Sequence, residues 1–377
     1  MTEINHKDRA HALLSAASSS RWLKCPPSAV AASLYPSQDT VYTREGTLAH
    51  EVAEATARRY LFGDPVPEWS SPEITSEMLS CAIEYVDYIE EQIKSEGAAV
   101  LLEQRLNFSL WVPDGFGTGD CLILQGDCLD VIDYKYGQGV EVSALNNSQM
   151  RLYGLGALYE FGDIYEIKKV RLHIFQPRKD NISVEELSAS ELRAWGDEIR
   201  PVALKASKGE GEHTPGAHCR FCPHAGVCPA LAASCRQVVD SANVASVPTL
   251  ASWQVADILA AESMITAWLK AVKERALASL LAGDMVPGFK VVAGRSSRVW
   301  DDEANVEATL EPLYARGAYT KTELLSPAAM EKALGKKKVA ELLSSHIVSK
   351  PGAPTVVPAS DKRPVYDRLA EAKADFA

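Results

Sequence analysis

Between Gly117 and Tyr153 the chain reads GTGDCLILQGDCLDVIDYKYG, then a polar turn, then QMRLY. Asp120, Asp133 and Lys135 fall on what read as two adjacent strands, with Gln149 and Tyr153 on a following helix. Asp133 and Lys135 are two apart, so on a strand they point to the same side. Two carboxylates can hold Mg²⁺ or Mn²⁺ beside a phosphate and make hydroxide at neutral pH, while a lysine orients the nucleophile or steadies the developing charge. The reaction class this names is phosphodiester hydrolysis. On its own the D-x-K spacing also suits a solvated Asp–Lys pair on a surface strand.

These residues need elements to carry them. His11–Leu23 reads as a short helix ended by the Cys25-Pro26-Pro27 break. Leu48–Gly63 reads as a helix with His50 and Glu54 four apart on one face, and Thr75–Lys94 as a second with Leu79, Ile83, Val86 and Ile89 as its apolar stripe. Three strands are then predicted, over Ala98–Leu110, Gly117–Gln125 and Asp127–Tyr136, joined by turns rich in Gly, Asp and Pro. A helix over Asn147–Phe161, a strand over Lys169–Gln176 and a helix over Ser190–Ala206 complete an α/β core with a mixed sheet. From Ser241 onward the chain changes character: a long helix over Leu250–Ala282, a strand-like GFKVVAGRSSRVW, a short helix opening at Ser326-Pro327, and an extended proline-rich tail, PGAPTVVPASDKRP. Two domains are expected, residues 1–240 and 241–377.

With 377 residues, 46% of them apolar and 24% charged, the chain has the balance of a globular protein. Its start, MTEINHKDRAH, is polar and lacks the apolar core of a signal peptide, and no apolar run is long enough to span a bilayer. The expectation is a cytoplasmic protein with no membrane partner. The net charge of −11, from 39 basic against 50 acidic residues, argues against tight non-specific binding of nucleic acid over the whole surface. It leaves room for a local basic groove.

Eight cysteines in a chain without an export signal argue for metal rather than disulfides. Cys219, Cys222 and Cys228 form C-x2-C-x5-C, flanked by proline and glycine. His218, His224 or Cys235 could complete a structural Zn²⁺ site; Cys25, far upstream, could instead complete an iron–sulfur cluster. Cys81, Cys121, Cys128 and Cys235 read as plain buried residues.

Taken jointly, four motifs resemble the PD-(D/E)XK nuclease superfamily in its RecB-like branch. They are Gly46-Thr47-Leu48-Ala49-His50, Gly117-Thr118-Gly119-Asp120, Asp133-Tyr134-Lys135 and Gln149 to Tyr153. The resemblance implies a restriction-endonuclease-like core, a mixed central sheet flanked by helices, with N-terminal helices and a mainly helical C-terminal extension. It implies that His50, Asp120, Asp133 and the Tyr134 carbonyl ligate Mg²⁺ or Mn²⁺. Lys135 would serve the attacking water, and Gln149 and Tyr153 would contact DNA or brace the site. Glu54 and Glu103 are supporting candidates, read as surface groups or groups behind the ligands.

The cysteines also resemble a subgroup of that branch, the AddB-type helicase-nucleases and CRISPR adaptation nucleases. The resemblance implies that Cys25, Cys219, Cys222 and Cys228 hold a structural [4Fe-4S] cluster, with Zn²⁺ the alternative. Over nearly its full length the chain is similar to an uncharacterised phage and prophage family. That implies an exonuclease acting in viral DNA replication or recombination on single strands or duplex ends. With no GxxxxGK[ST] motif the chain is not itself a motor, so a helicase or a single-strand-binding or annealing protein is an expected partner. The rival reading is a non-catalytic DNA-binding or scaffold protein that keeps the fold and the metal cluster. In the last third, Lys332, Lys336, Lys337 and Lys338 with Arg295, Arg298 and Trp300 could meet a nucleic-acid backbone or simply form a solvated face.

Overall fold

Near-continuous buried runs over Leu122–Leu124 and Leu129–Ile132, the latter interrupted only by Asp130, are the signature of central strands covered on both faces. The computed structural model describes residues 12–35, 41–65, 73–241, 251–314, 325–358 and 363–366. Its five-stranded mixed sheet runs in the order β1 (Ala99–Asn107), β2 (Phe116–Gln125), β3 (Cys128–Tyr134), β4 (Lys169–Gln176) and β5 (Asn181–Ser188). All neighbours are antiparallel except β3 and β4, which are joined by the crossover helix α5 (Ser148–Tyr165). The α/β core read from the sequence is therefore present.

Helices cover both faces. The chain enters through α1 (Ser19–Trp22) and α2 (Ser28–Ser33), then α3 (Val41–Phe62) and α4 (Ser76–Gln92). Ala49, Val52 and Ala53 of α3 and Met78, Tyr85 and Ile89 of α4 pack on Cys121, Ile123, Ile132 and Tyr134. On the opposite face, α5 and α6 (Ala189–Lys208) pack with Trp22 and Ala29 on Leu106, Leu122, Leu129 and Val131. The expected helix over His11–Leu23 is cut to one α-turn after a 3₁₀ turn at Ala16–Ser18, with His11 outside the described residues. Serine side chains compete for the backbone there: Ser18 Oγ donates to Ser15 O (3.2 Å), and the Trp22 indole N–H donates to the same carbonyl (3.1 Å).

One polar network lies inside the α4 face. His173 donates Nε2–H to Asp130 Oδ1 (2.9 Å) and accepts at Nδ1 from Tyr88 OH (2.8 Å). Gln125 and Arg171 donate to Asp130 Oδ2 at 3.1 and 2.9 Å. Burial works against the Asp130 charge, yet these donors hold its carboxyl below the usual range. A buried carboxylate with this many partners stitches α4 to β3 and β4 beneath the strand ends.

After α6 come the cysteine segment and α7 (Pro229–Ser241), then α8 (Ser252–Ala282). The chain divides into two compact units, Met1–Trp268 and Leu269–Ala377. The second holds β6 (Phe289–Trp300) paired antiparallel with β7 (Ile347–Pro358), and α9 (Glu303–Leu310), α10 (Pro327–Leu334) and α11 (Lys336–Leu343). Its core is Trp300, Val306, Leu310, Met330, Val339 and Leu343. Trp300 is thus an interior residue, its indole donating to Leu325 O (2.8 Å), and Arg298 is paired with Glu331, Nη2 to Oε2 at 2.9 Å. Lys337 and Lys338 are exposed, and the side chains of Arg295, Lys332 and Lys336 lie outside the described residues. No helix among the described residues is long and apolar enough to cross a membrane.

Candidate active site

The site forms where the sheet forks. The β2–β3 ladder ends at Cys121↔Ile132; beyond it β2 continues only with β1, out to Phe116↔Asn107, and β3 only with β4, to Tyr134↔Phe175. Asp120 and Asp133 are the first residues past that point on their strands. Asp120 Oδ2 spans the gap by accepting the Tyr134 amide at 2.7 Å. The Lys135 amide extends the β4 ladder by donating to Phe175 O (2.8 Å).

Helix α3 delivers His50, with Nδ1 3.6 Å from Asp120 Oδ1. The Tyr134 ring meets the imidazole edge-on, centroids 5.5 Å apart, and itself packs on Tyr85. Arg178, just beyond β4, pins the starts of both covering helices: its Nη1 lies 3.0 Å from Glu45 and its Nη2 3.0 Å from Glu77. Its guanidinium sits 4.4 Å over the Tyr136 ring.

Helix α5 closes the other side. Asn147 caps it, accepting from the Gln149 and Met150 amides. Gln149 Nε2 donates to Asp133 Oδ1 (3.2 Å) and to Tyr153 OH (3.3 Å), while its Oε1 accepts from Lys135 Nζ (3.4 Å). Close approach of α5 depends on Gly117, where a Cβ would stand 2.8 Å from the Tyr153 ring. Lys135 Nζ meets the buried Asp133 Oδ2 at 2.8 Å, so the ammonium and the carboxylate form a close ion pair.

Charge is arranged unevenly. For Asp120, burial is outweighed by His50, Lys135 and the Tyr134 amide, and its carboxyl stays below the usual range. For Asp133, burial and the neighbouring Asp120 win over Lys135 and raise it. Burial disfavours the cationic forms of His50 and Lys135, yet the aspartates hold both above their ordinary values.

All the residues singled out in Gly117–Tyr153 therefore converge with His50. Glu54 instead pairs with Arg58 on its own helix, at 2.8 Å. Glu103, read from the sequence as a supporting group, stands with His50 and Asp120, their ligand atoms all within 4.8 Å of one another. Burial, then Asp120 and Glu54, push its carboxyl up to about 7 from an ordinary 4.5. A carboxyl that holds its proton longer when folded stabilises the fold at low pH, and that stability is lost as pH rises through the folded value. Glu103→Gln is therefore expected to melt higher than wild type at pH 8 in metal-free buffer and level with it at pH 4, as thermal scans would read. Equal melting at both values would contradict the crowding of charge described.

The cysteines make a second centre. Cys25, Cys219, Cys222 and Cys228 line one small cavity with His213, His218, His224, Pro215, Ala225 and Leu231. Cys219 Sγ accepts the Gly216 amide (3.4 Å), and Cys25 Sγ lies 3.8 Å from His213 Nδ1. Burial, then the neighbouring thiols, raise the Cys219 thiol. His218 turns Nε2 to Thr214 O at 2.8 Å, and His224 Nδ1 meets Tyr35 OH at 3.1 Å. Cys81, Cys121 and Cys235 are buried away from the cavity, and Cys128 is half-buried.

Comparison with known proteins adds a family but no chemistry. The family described as "Protein of unknown function (DUF2800)" matches residues 11–364. Among solved structures, one titled "Crystal structure of SSO0001" matches 52% of this chain and 98% of its own at 16% identity, with a TM-score of 0.24. A likeness that loose carries no argument about site or activity.

Proposed function

The chain belongs to the DUF2800 family, and from its own residues we propose that it is a metal-dependent deoxyribonuclease of the PD-(D/E)XK, RecB-like kind. The observation that carries the reading is the fork between β2 and β3, which brings His50, Asp120, Asp133 and Lys135 together, with His50 Nδ1 3.6 Å from Asp120 and Lys135 Nζ 2.8 Å from Asp133. Asp120 and Asp133 are buried close enough for each to disfavour the other's charge, and a divalent cation held by His50, Asp120, Asp133 and the Tyr134 carbonyl would offset that repulsion. A nitrogen ligand beside carboxylates suits Mn²⁺ better than Mg²⁺. The cation would supply Lewis-acid charge and an activated water.

The protein's own groups do the rest. Lys135, held charged by Asp133 and Asp120, orients the nucleophile and meets the charge that develops on the phosphate. Gln149 fixes Lys135 and Asp133 in one frame, and Tyr153 braces Gln149. The substrate proposed is DNA, as duplex ends or single strands, cut exonucleolytically during phage or prophage replication or recombination. A helicase or a single-strand-binding or annealing protein would act alongside.

The four-cysteine cavity supports a structural [4Fe-4S] cluster over Zn²⁺. Cys25, Cys219, Cys222 and Cys228 line the same pocket, and four thiolates are the ligand set such a cluster takes. The Gly216 N–H to Cys219 Sγ is the kind of bond that cluster sulfurs accept.

The test is incubation of the full-length protein with end-labelled linear and covalently closed circular DNA in Mn²⁺, with an EDTA control. Nucleotide release from linear DNA that stops with EDTA is expected. DNA retained in a gel shift but left uncut under every metal condition would favour the scaffold reading instead.

A further inference from the structure

Glu103 sits in a conformation its residue type resists. Its φ is +50°, in the left-handed region, which glutamate has no local reason to adopt. Strand β1 changes face at this residue. Val100 and Leu102 ahead of it pack on the α3–α4 side, whereas Leu106 beyond it packs on the α5 side, although even-numbered residues of an unbroken strand would share one face. Strand β2 changes face at the matching place. A Cβ on Gly119 would stand 2.9 Å from Leu106, while Cys121 packs on the α3–α4 side.

The two inversions meet. Leu102 pairs with Cys121 and Gln104 with Gly119, so Glu103 faces Asp120 across the ladder. Like charges directly opposite destabilise a sheet, and among the described residues no hydrogen bond or ion pair neutralises the Glu103 carboxylate. Backbone strain, a like-charge pair and an unpartnered carboxylate coincide at one point, against a histidine. A fold keeps such a point when a ligand resolves it.

We infer that Glu103 is itself a ligand of the divalent cation, sharing it with His50 and Asp120 Oδ1. This rests on the cation-dependent reading above and extends its ligand set. It also gives the strand inversion a purpose: in an unbroken strand Glu103 could not turn to the same point as Asp120 and His50.

The experiment is a Mn²⁺ titration of the full-length protein at pH 8, with free Mn²⁺ followed by electron paramagnetic resonance. Wild type is compared with Glu103→Gln, Glu103→Ala, Glu54→Gln and Asp120→Asn. Both Glu103 variants are expected to weaken binding by about tenfold or more, and Glu54→Gln to stay within about twofold. Wild-type affinity in the Glu103 variants would overturn the inference. So would an equal loss in Glu54→Gln, because that would reduce the effect to the general negative field. If Asp120→Asn also bound Mn²⁺ as wild type does, the cation site as a whole would be refuted; if Asp120→Asn lost binding and the Glu103 variants did not, only the role of Glu103 would fall.

Discussion

Lys135→Ala is expected to slow Mn²⁺-dependent hydrolysis of linear DNA by roughly 10²–10³-fold, the usual cost of losing one positioned electrostatic group. The ammonium stands 2.8 Å from Asp133 and is tied to Gln149 at 3.4 Å, so its position is fixed before substrate arrives. Burial opposes its charge, but Asp133 and Asp120 overcome it, so the ammonium stays a cation throughout the neutral range. Lys135→Arg is expected to restore little, because a planar fork cannot occupy the place of a compact point charge between Asp133 and Gln149. Single-turnover rates at saturating Mn²⁺ are the measurement. A Lys135→Ala variant within about twofold of wild type would show that the lysine is only the partner of Asp133.

The second large effect is expected at the cysteine cavity. Anaerobically purified wild type should be brown, with a broad visible band and about four irons per chain. Replacing Cys25, Cys219, Cys222 or Cys228 singly by serine should bleach it. The cavity joins the chain near residue 25 to residues 219–228, alongside the Arg21 guanidinium donating to Phe221 O at 3.4 Å and the contact of Tyr35 OH with His224 Nδ1 at 3.1 Å. Structural metal sites contribute about 10 kcal/mol or more of folding energy; losing even about 3 kcal/mol of it would lower melting by roughly 6–12 °C in a unit of this size. Cys235→Ala, buried away from the cavity, should keep its colour and iron. A colourless wild type carrying one zinc per chain would contradict the iron–sulfur assignment.

Much of this arrangement was legible in the chain, for physical reasons. Asp133 and Lys135 two apart on an apolar strand, and Gln149 and Tyr153 four apart on a capped helix, share faces by geometry alone. Strand β5 was not legible: Ile182 and Val184 alternate as a strand should, but both are exposed on the sheet edge, so no apolar run marks them. Strand β7 is masked in the sequence by Pro351, Pro354 and Pro358, which usually argue against a strand. It pairs with β6 all the same, and the register slips between Gly294 and Ser297, opposite Pro351. The place of Glu103 was hidden more deeply. Its face depends on one left-handed residue, and nothing local in LLEQRLNF encodes that turn; the pairing of β1 with β2 imposes it. The sequence left Trp300 and Arg298 open between a nucleic-acid contact and a solvated face, because an aromatic and a basic residue look alike on a surface and in a small core; here the indole is inside and the guanidinium is paired with Glu331.

The central claim, that the forked strands carry a nuclease centre, is tested most directly by one comparison. Wild type and Asp120→Ala, both shown folded by their melting curves, are incubated with end-labelled linear DNA and Mn²⁺. Wild type is predicted to release nucleotides and Asp120→Ala to release none above the EDTA background. Equal release by both proteins, or none by a wild type loaded with Mn²⁺, would contradict it.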